Sequence, residues 1–184
     1  CAGPKCAASR RAYPPGHKGK KKSRGRGGSE YGELLREKQK VRFFYGLDDA
    51  AIKRYVDSAS RETGLFGDNF LRMMERRLDV VLWRLGLAPS RRSARQLIGH
   101  GHVSVNRRAV SSPSYAVRPG DAVSLAERAA GYLSESPDRQ RAGALPHWLT
   151  RGAHGHEGAM TALPQPDELG LAFDVIKVKE FYSR

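Results

Sequence analysis

The chain has 184 residues, with 33 Lys and Arg against 19 Asp and Glu and a formal net charge of +14. This length allows one ordinary domain or two small ones and excludes a large multidomain enzyme. The longest purely apolar run, residues 80–83, is far shorter than the roughly 18 residues that cross a bilayer, and no apolar region follows the basic N-terminus. We therefore expect a cytoplasmic protein with no membrane partner. Its charge indicates a polyanionic partner, with nucleic acid first.

The positive charge lies in two separate blocks. Residues 1–42 have a net charge of +10 and residues 72–118 of +8, whereas residues 43–71 and 119–184 each have −2. Two blocks suggest two surfaces that contact one polyanion. A basic tail combined with a solvated helix face is the alternative.

The first 28 residues cannot form a hydrophobic core. They contain nine Lys and Arg, six Gly, three Pro and no acidic residue, and Tyr13 is their only large apolar side chain. Such a segment is expected to be extended and to order on phosphates. The candidate RNA contacts in this tail are Arg10, Arg11, Lys20, Lys21, Lys22 and Arg24.

Four helices are predicted after the tail. Ser29 can cap a helix that runs through Tyr45 and ends at Gly46, and its candidate RNA contacts are Arg36, Lys38 and Lys40. The apolar spacing predicts further helices from Asp48 or Asp49 to near residue 64, over residues 68–85 and from residue 90 to residue 99.

The apolar period then changes to two. Residues 102–106, 115–118 and 121–125 alternate as short strands, and residues 173–179 alternate as a half-buried terminal strand. The predicted fold is α+β. It has a basic extended tail (1–28), a helical domain with a C-terminal wrap and terminal strand (29–75 plus 126–184), and an inserted αα-β module (76–125).

Three arginines begin the fourth predicted helix. Arg91, Arg92 and Arg95 are spaced three and four residues apart and so converge on one face. They follow the cap residue Ser90, and all four are candidate RNA contacts. The helix dipole disfavours cations at this end, which suggests an external anion such as an RNA phosphate. Pairing with Glu75 or Asp79 is the alternative.

Residues 99–108 form a second candidate RNA contact. Asn106 can take a left-handed conformation in a tight hairpin turn, which leaves Arg107 and Arg108 at its tip. His100 and His102 have no Cys or acid nearby, so contact with phosphate or ribose is a better interpretation than metal binding. Simple solvation of both imidazoles is an equal alternative.

These motifs resemble a known family. Residues 77–79, 85–86, 90–91, 94–97, 101–106 and 113–121 are similar to the RNA-binding module named after ribosomal protein S-four. Pseudouridine synthases, tyrosyl-tRNA synthetases and heat-shock ribosome-binding proteins share that module. The flanking segments resemble the bacterial-type small-subunit ribosomal protein S-four family itself, across nearly the whole chain; they are residues 11–17, 35–40, 45–46 and 180–184.

The resemblance implies a structural, non-catalytic function. Members of this family bind 16S ribosomal RNA in its 5′ domain early in 30S assembly. They also contact ribosomal protein S-five, lie near the mRNA entry channel and influence translational accuracy. It further implies that six residues face RNA: Arg91, Arg92, Arg95, His100, His102 and Arg107. One departure is Arg107, where the family commonly has Gly, so a different hairpin turn is expected.

The two cysteines are Cys1 and Cys6. A disulfide is a weak alternative in a protein with no export signal. The resemblance implies instead that they are the second half of the family's four-cysteine zinc site, and that the first pair would precede residue 1. Zinc is therefore the only cofactor that the sequence suggests.

Two other functions are less consistent with the sequence. An RNA-modifying enzyme or a ribosome-associated factor with this module would need a catalytic domain, yet the sequence has no catalytic acid motif, phosphate loop or Ser/His/Asp set. A DNA-binding helix-turn-helix protein fits less well, because strands follow the helices. A non-enzymatic ribosomal protein with no small-molecule substrate remains the favoured interpretation.

Overall fold

The computed structural model describes residues 29–129, 145–165, 169 and 173–183. Within these residues the fold is α+β, as predicted, with six helices and a five-stranded antiparallel sheet. The helices are α1 Glu30–Tyr45, α2 Asp49–Arg61, α3 Phe66–Glu75, α4 Leu78–Arg84, α5 Arg91–Gly99 and α6 Val175–Tyr182. The strands are β1 Val103–Val105, β2 Arg108–Ala109, β3 Ala122–Leu125, β4 Leu149–Arg151 and β5 Glu157–Met160.

The first two helices begin where their capping residues predict. The Ser29 hydroxyl accepts a hydrogen bond from the backbone N–H of Gly32 at 3.2 Å, and the Asp48 carboxylate accepts one from that of Ala51 at 2.7 Å. Gly46 ends α1 in the left-handed region, at φ 63°. The α1 boundaries and the Asp48 cap are thus confirmed, and α2 ends at Arg61.

The predicted helix over residues 68–85 is wrong, because the chain breaks at Arg77 into α3 and α4. Arg77 is extended (ψ 136°) and forms an isolated antiparallel bridge with Ala116. The carbonyl of Tyr115 accepts from the N–H of Leu78 at 2.9 Å, so a distant segment satisfies the first donors of α4. Apolar spacing continues through the break and hides it. The predicted strand over 115–118 reduces to this single bridge.

The module has the predicted αα-β order. Helix α5 leads into the β1–β2 hairpin, and β3 pairs with β1 so that Val105 lies opposite Val123. Valines and leucines of these strands point toward α4 and α5, which form the other side of the core. The predicted strands at 102–106 and 121–125 are therefore confirmed.

The sheet continues beyond the predicted module. Strand β5 pairs with β3, and β4 pairs with β5, which gives the strand order β2-β1-β3-β5-β4. A Cβ on Gly158 would lie 2.6 Å from a Leu85 methyl carbon, so glycine lets β5 approach α4 closely. Residues 149–160 thus belong to the module's sheet, although the prediction grouped 126–184 with the helical domain.

The predicted terminal strand over 173–179 is wrong, because this segment forms helix α6. The Asp174 carboxylate caps it by accepting from the N–H groups of Ile176 (2.9 Å) and Lys177 (3.3 Å). Val175 and Val178 are buried one turn apart against α1 and the rest of the helical domain. The same valines fit both a strand and a helix pattern, and the cap together with packing on α1 selects the helix.

Two hydrophobic cores meet along α4. Val80 packs in the core of the helical domain with α1, α2, α3 and α6. Leu78, Val81, Leu82 and Leu85 pack in the core of the module. Helix α4 therefore connects the module to the helical domain.

Candidate nucleic-acid interface

The start of α5 faces the end of α1. The Ser90 hydroxyl caps α5 by accepting from the N–H of Ser93 at 3.1 Å. Arg91 and Arg95, one turn apart on α5, lie beside the end of α1. The last carbonyl groups of a helix accept no hydrogen bond from their own helix, so they are available to these arginines. We call this contact between α1 and α5 the joint. It consists of Arg91, Arg95 and the carbonyl groups of residues 44–46.

Arg91 lies between two aromatic rings at the joint. Its guanidinium carbon is 4.0 Å from the ring centroid of Phe44 and 3.9 Å from that of Trp83. Its Nη1 donates to the Phe44 carbonyl oxygen, and its Nε and Nη2 are buried without a hydrogen-bond partner. Burial lowers the pKa of Arg91 to about 10, which still leaves the guanidinium charged at neutral pH.

Arg95 closes the other side of the joint. Its Nη1 donates to the Gly46 carbonyl, and its Nη2 donates to the Tyr45 carbonyl at 2.5 Å. Its Nε donates to Asp79 Oδ2 at 2.7 Å. Asp79 is fully buried and also accepts two bonds of 3.0 Å from Arg77. A buried carboxylate thus connects α4 to α5, and Arg95 connects both to α1.

Two of the three arginines of α5, Arg91 and Arg95, therefore find their negative partners within the protein and not in an external phosphate. The negative C-terminal end of the α1 dipole and the Asp79 carboxylate offset the unfavourable dipole at the start of α5. Pairing with Asp79, the alternative left open by the sequence, holds for Arg95. The structure does not bring the three arginines together on one free face, since Arg92 alone among them is exposed.

A second buried carboxylate, that of Glu75, binds the side chain of Tyr45, whose carbonyl belongs to the joint. Glu75 accepts from Arg84 through both oxygens, with Nη2 to Oε1 at 2.9 Å, and from the Tyr45 hydroxyl at 2.9 Å. Burial, followed by the nearby Glu75 charge, raises the pKa of Tyr45 well above its usual value, so the hydroxyl remains a donor. Both acidic residues of the 72–118 block, Glu75 and Asp79, thus pair with arginines inside the protein.

The β1–β2 hairpin turn presents cations to solvent. Asn106 and Arg107 both have positive φ, 50° and 65°, in a two-residue turn between Val105 and Arg108. The left-handed Asn106 is confirmed, and Arg107 adopts the conformation that glycine usually supplies. The Asn106 side chain is used internally, because it donates to Asp121 at 2.7 Å and accepts from the N–H of Ala122 at 2.9 Å. Arg107 and Arg108 are exposed.

The remaining predicted RNA contacts, in α1 and before β1, also include both side chains that pair within the protein and side chains that are exposed. Lys38 is buried, pairs with Asp49 at 3.0 Å and lies over the Phe181 ring. Lys40 is exposed and pairs with Glu37 at 2.6 Å, and Arg36 is exposed. His100 is exposed, whereas His102 is half-buried and accepts from Arg128 through Nδ1 at 3.2 Å.

Eight exposed cations in the described part of the chain make no ion pair, hydrogen bond or ring contact through their side chains. They are Arg36, Lys53, Arg54, Arg61, Arg92, Arg107, Arg108 and Arg118. The prediction missed the three on α2 and Arg118. The outer face of the amphipathic α2 was the sequence signal for those three.

An open groove lies on the sheet beside the hairpin. It has a volume of about 490 Å³, and its lining includes Arg107, Ser124, Thr150, Arg151 and Glu157.

No set of three or more His, Cys, Asp or Glu side chains within the described ranges is arranged to hold a metal ion. None of the described helices has the length and apolar character to cross a membrane. The predicted tail contacts Arg10, Arg11, Lys20, Lys21, Lys22 and Arg24, and the cysteines Cys1 and Cys6, lie outside the described residues.

By comparison with known protein families, the chain is an S4-domain protein. The family model described as the S4 domain matches residues 76–123, and the model described as the ribosomal protein S4/S9 N-terminal domain matches residues 1–75.

Full-length relatives identify the family within that class. Small ribosomal subunit protein uS4 of Thermus thermophilus is 42% identical over 186 residues, which cover 100% of this chain and 88% of the relative. The uS4 protein of Syntrophobacter fumaroxidans is 43% identical over 187 residues, with the same coverage. That of Gloeobacter violaceus is 41% identical over 184 residues, again with this coverage. The chain belongs to the family of small ribosomal subunit protein uS4.

Proposed function

We propose that the chain is a structural constituent of the small ribosomal subunit that binds 16S ribosomal RNA directly and has no catalytic activity. The observation that carries this proposal is the 42% identity to the Thermus uS4 protein across all of this chain. The alternative, an RNA-modifying enzyme or ribosome-associated factor that borrows the module, is not favoured. Such proteins would share residues 76–123, whereas the similarity here also includes residues 1–75.

RNA binding depends on the exposed, unpaired cations. Arg36 on α1, Arg92 on α5, and Arg107 and Arg108 on the hairpin have no partner in the described part of the chain, so they reach phosphates without first breaking an internal ion pair. Phosphate neutralisation then supplies most of the affinity, and the geometry of the surface selects the RNA shape. The tail cations and His100 add contacts to the same RNA.

The finer functions follow from the resemblance to the family. We propose that the protein nucleates 30S assembly, contacts ribosomal protein S-five and other small-subunit proteins, lies near the mRNA entry channel and contributes to translational accuracy. These partners are testable by crosslinking within purified whole ribosomes. Crosslinks to large-subunit proteins alone would contradict this assignment.

The direct test is RNA selection in vitro. The protein is titrated against a 16S 5′-domain transcript and against a 23S fragment of equal length, between 50 and 300 mM KCl. We expect tighter binding to the 16S transcript, with a preference that persists at the higher salt, and co-sedimentation with small subunits in sucrose gradients. Equal affinity for both RNAs at every salt concentration would contradict the proposal.

We propose that Cys1 and Cys6 supply half of a zinc site. Two thiolates are half of the usual structural ligand set, and thiolates are the ligands that zinc prefers. Elemental analysis of the full protein tests this proposal. One zinc per chain, lost in Cys6→Ser, supports it, and the absence of stoichiometric zinc removes it.

A further inference from the structure

The joint uses its two cations for contacts within the protein. Both free atoms of the Arg91 guanidinium, Nε and Nη2, are inaccessible to solvent, and its two faces are covered by Phe44 and Trp83. Every nitrogen of Arg95 donates to a group inside the protein. A phosphate that replaced the Asp79 carboxylate on Arg95 Nε would leave this buried carboxylate beside the RNA, paired with Arg77 alone.

The joint also determines where the free cations lie. It binds the carbonyls of the last two residues of α1 and of its C-cap Gly46 to Arg91 and Arg95, and Arg92 follows Arg91 directly on α5. Arg36 and the 78% exposed Phe43 lie on α1, and the hairpin with Arg107 follows α5. Two RNA-facing elements, one from each core, are therefore connected through guanidinium groups rather than through apolar packing alone.

A planar guanidinium is suited to this function. Arg95 directs its nitrogens at two carbonyls and a carboxylate at once, and Arg91 stacks between two rings while donating to a third carbonyl. A lysine ammonium offers neither the planar fork nor the stacking surface. A cation that contacts phosphate from solvent needs only its charge, so lysine can replace it.

From this geometry we infer that Arg91 and Arg95 are positioning residues for RNA binding, which hold α1 against α5 so that Arg36, Arg92 and the hairpin cations meet one RNA at fixed separations. The inference rests on the proposed function, because it names how the two RNA-facing elements are aligned. Alignment before binding lowers the ordering cost of the complex. The protein therefore loses affinity when the joint opens, even though no phosphate contact is removed.

Salt dependence separates positioning from contact. Affinity for the 16S 5′-domain transcript is measured between 50 and 300 mM KCl for Arg91→Met, Arg95→Met and the matched neighbour Arg92→Met. We expect roughly ten-fold weaker binding with an unchanged log–log slope for the first two. For Arg92→Met the slope should fall by about 0.7–0.9, the value for one phosphate contact. A slope that falls by the same amount in Arg91→Met or Arg95→Met overturns the inference.

Lysine replacements provide the second readout. Arg92→Lys should restore the wild-type affinity, whereas Arg91→Lys and Arg95→Lys should remain weak. Full affinity in both joint lysine variants overturns the inference. Circular dichroism at the binding temperature selects the folded preparations. Trp83→Leu opens the joint with every charge retained, so it should weaken binding with an unchanged slope even if an arginine variant fails to fold.

A measurement without RNA distinguishes failure of this inference from failure of the proposed function. Spin labels at Lys40→Cys and Gln96→Cys, in a Cys1→Ser and Cys6→Ser background, report the separation of α1 and α5. Arg91→Met should broaden that distance distribution, and an unchanged distribution overturns the positioning function. If wild-type protein does not prefer the 16S transcript but the distribution broadens, the proposed function fails and the joint stands.

Discussion

The joint and the β1–β2 hairpin are both rich in arginine, yet they use it in opposite ways. At the joint, Arg91 and Arg95 donate to carbonyls of α1, and Asp79 lies buried beneath Arg95. At the hairpin, Arg107 and Arg108 face solvent and have no partner in the described part of the chain. The first region stabilises the protein, and the second is available to a polyanion.

This difference teaches that a basic block is not equivalent to a basic surface. The +8 of residues 72–118 includes Arg77, Arg84, Arg91 and Arg95, which are held by buried acids, aromatic rings or helix-end carbonyls. Removing an inward cation should therefore change stability first. Removing an outward cation should change RNA affinity and its salt dependence, and should change stability only where backbone strain or a surface ion pair is also altered.

Asp79→Ala should have the largest effect on stability. It leaves the buried Arg77 and the adjacent Arg95 without their shared carboxylate, so we expect the free energy of unfolding to fall by about 3–5 kcal/mol. Urea unfolding followed by circular dichroism measures the change. Asp57→Ala is the control, because Asp57 is exposed on α2 and its loss should change stability by about 0.5 kcal/mol or less. Similar losses in the two variants would contradict the stabilising pairing of Asp79 with Arg77 and Arg95.

Gly46→Ala should have the next largest effect. Gly46 has φ 63°, and an added Cβ would lie 3.3 Å from Arg95 Nη1. Gly101 has φ 71° with nothing within 4 Å of an added Cβ, so Gly101→Ala reports backbone strain alone. We expect about 1–2 kcal/mol for the strain in each variant, and about 1 kcal/mol more in Gly46→Ala from the disturbed Arg95 hydrogen bonds. Equal losses in thermal unfolding would show that the joint tolerates the added methyl group.

Local features of the fold were predictable from sequence because single residues determine them. Ser29, Asp48 and Ser90 cap helices through their own side chains, and Gly46 ends α1 through its own backbone freedom. Features that depend on distant partners were not predictable. The break at Arg77 requires the 113–117 segment, and the C-terminal helix requires packing against α1.

In the candidate site, too, local features were predictable from sequence and features that depend on tertiary contacts were not. Exposure of Arg107 and Arg108 follows from a two-residue turn, which local sequence indicates. The inward direction of Arg91 requires Phe44 and Trp83 from two other helices, and that of Lys38 requires Asp49 and Phe181. Helical spacing places residues on a face, but only tertiary packing decides whether that face meets solvent.

Arg107→Gly should move stability and RNA affinity in opposite directions. Glycine adopts the left-handed turn conformation without the strain of a side chain, so we expect the protein to gain about 0.5–1 kcal/mol after the entropic cost of glycine. The same variant removes an outward cation, and the salt slope of 16S RNA binding should fall by about 0.7–0.9. Arg107→Lys is the control that retains both the strain and the charge. A stabilised Arg107→Gly with an unchanged slope would show that the hairpin tip does not contact RNA.

Lys40→Ala should have the smallest effect on stability. Lys40 is exposed and pairs with Glu37 at neighbouring turns of α1, an arrangement worth at most about 0.5 kcal/mol. Lys38, two residues earlier, pairs with Asp49 from a buried position, so Lys38→Ala should destabilise the protein more while the salt slope stays unchanged. If α1 faces RNA through its exposed side, Lys40→Ala should lower the slope by about 0.7–0.9. The reverse result, with a lower slope for Lys38→Ala only, would show that α1 rearranges on RNA and exposes the buried lysine.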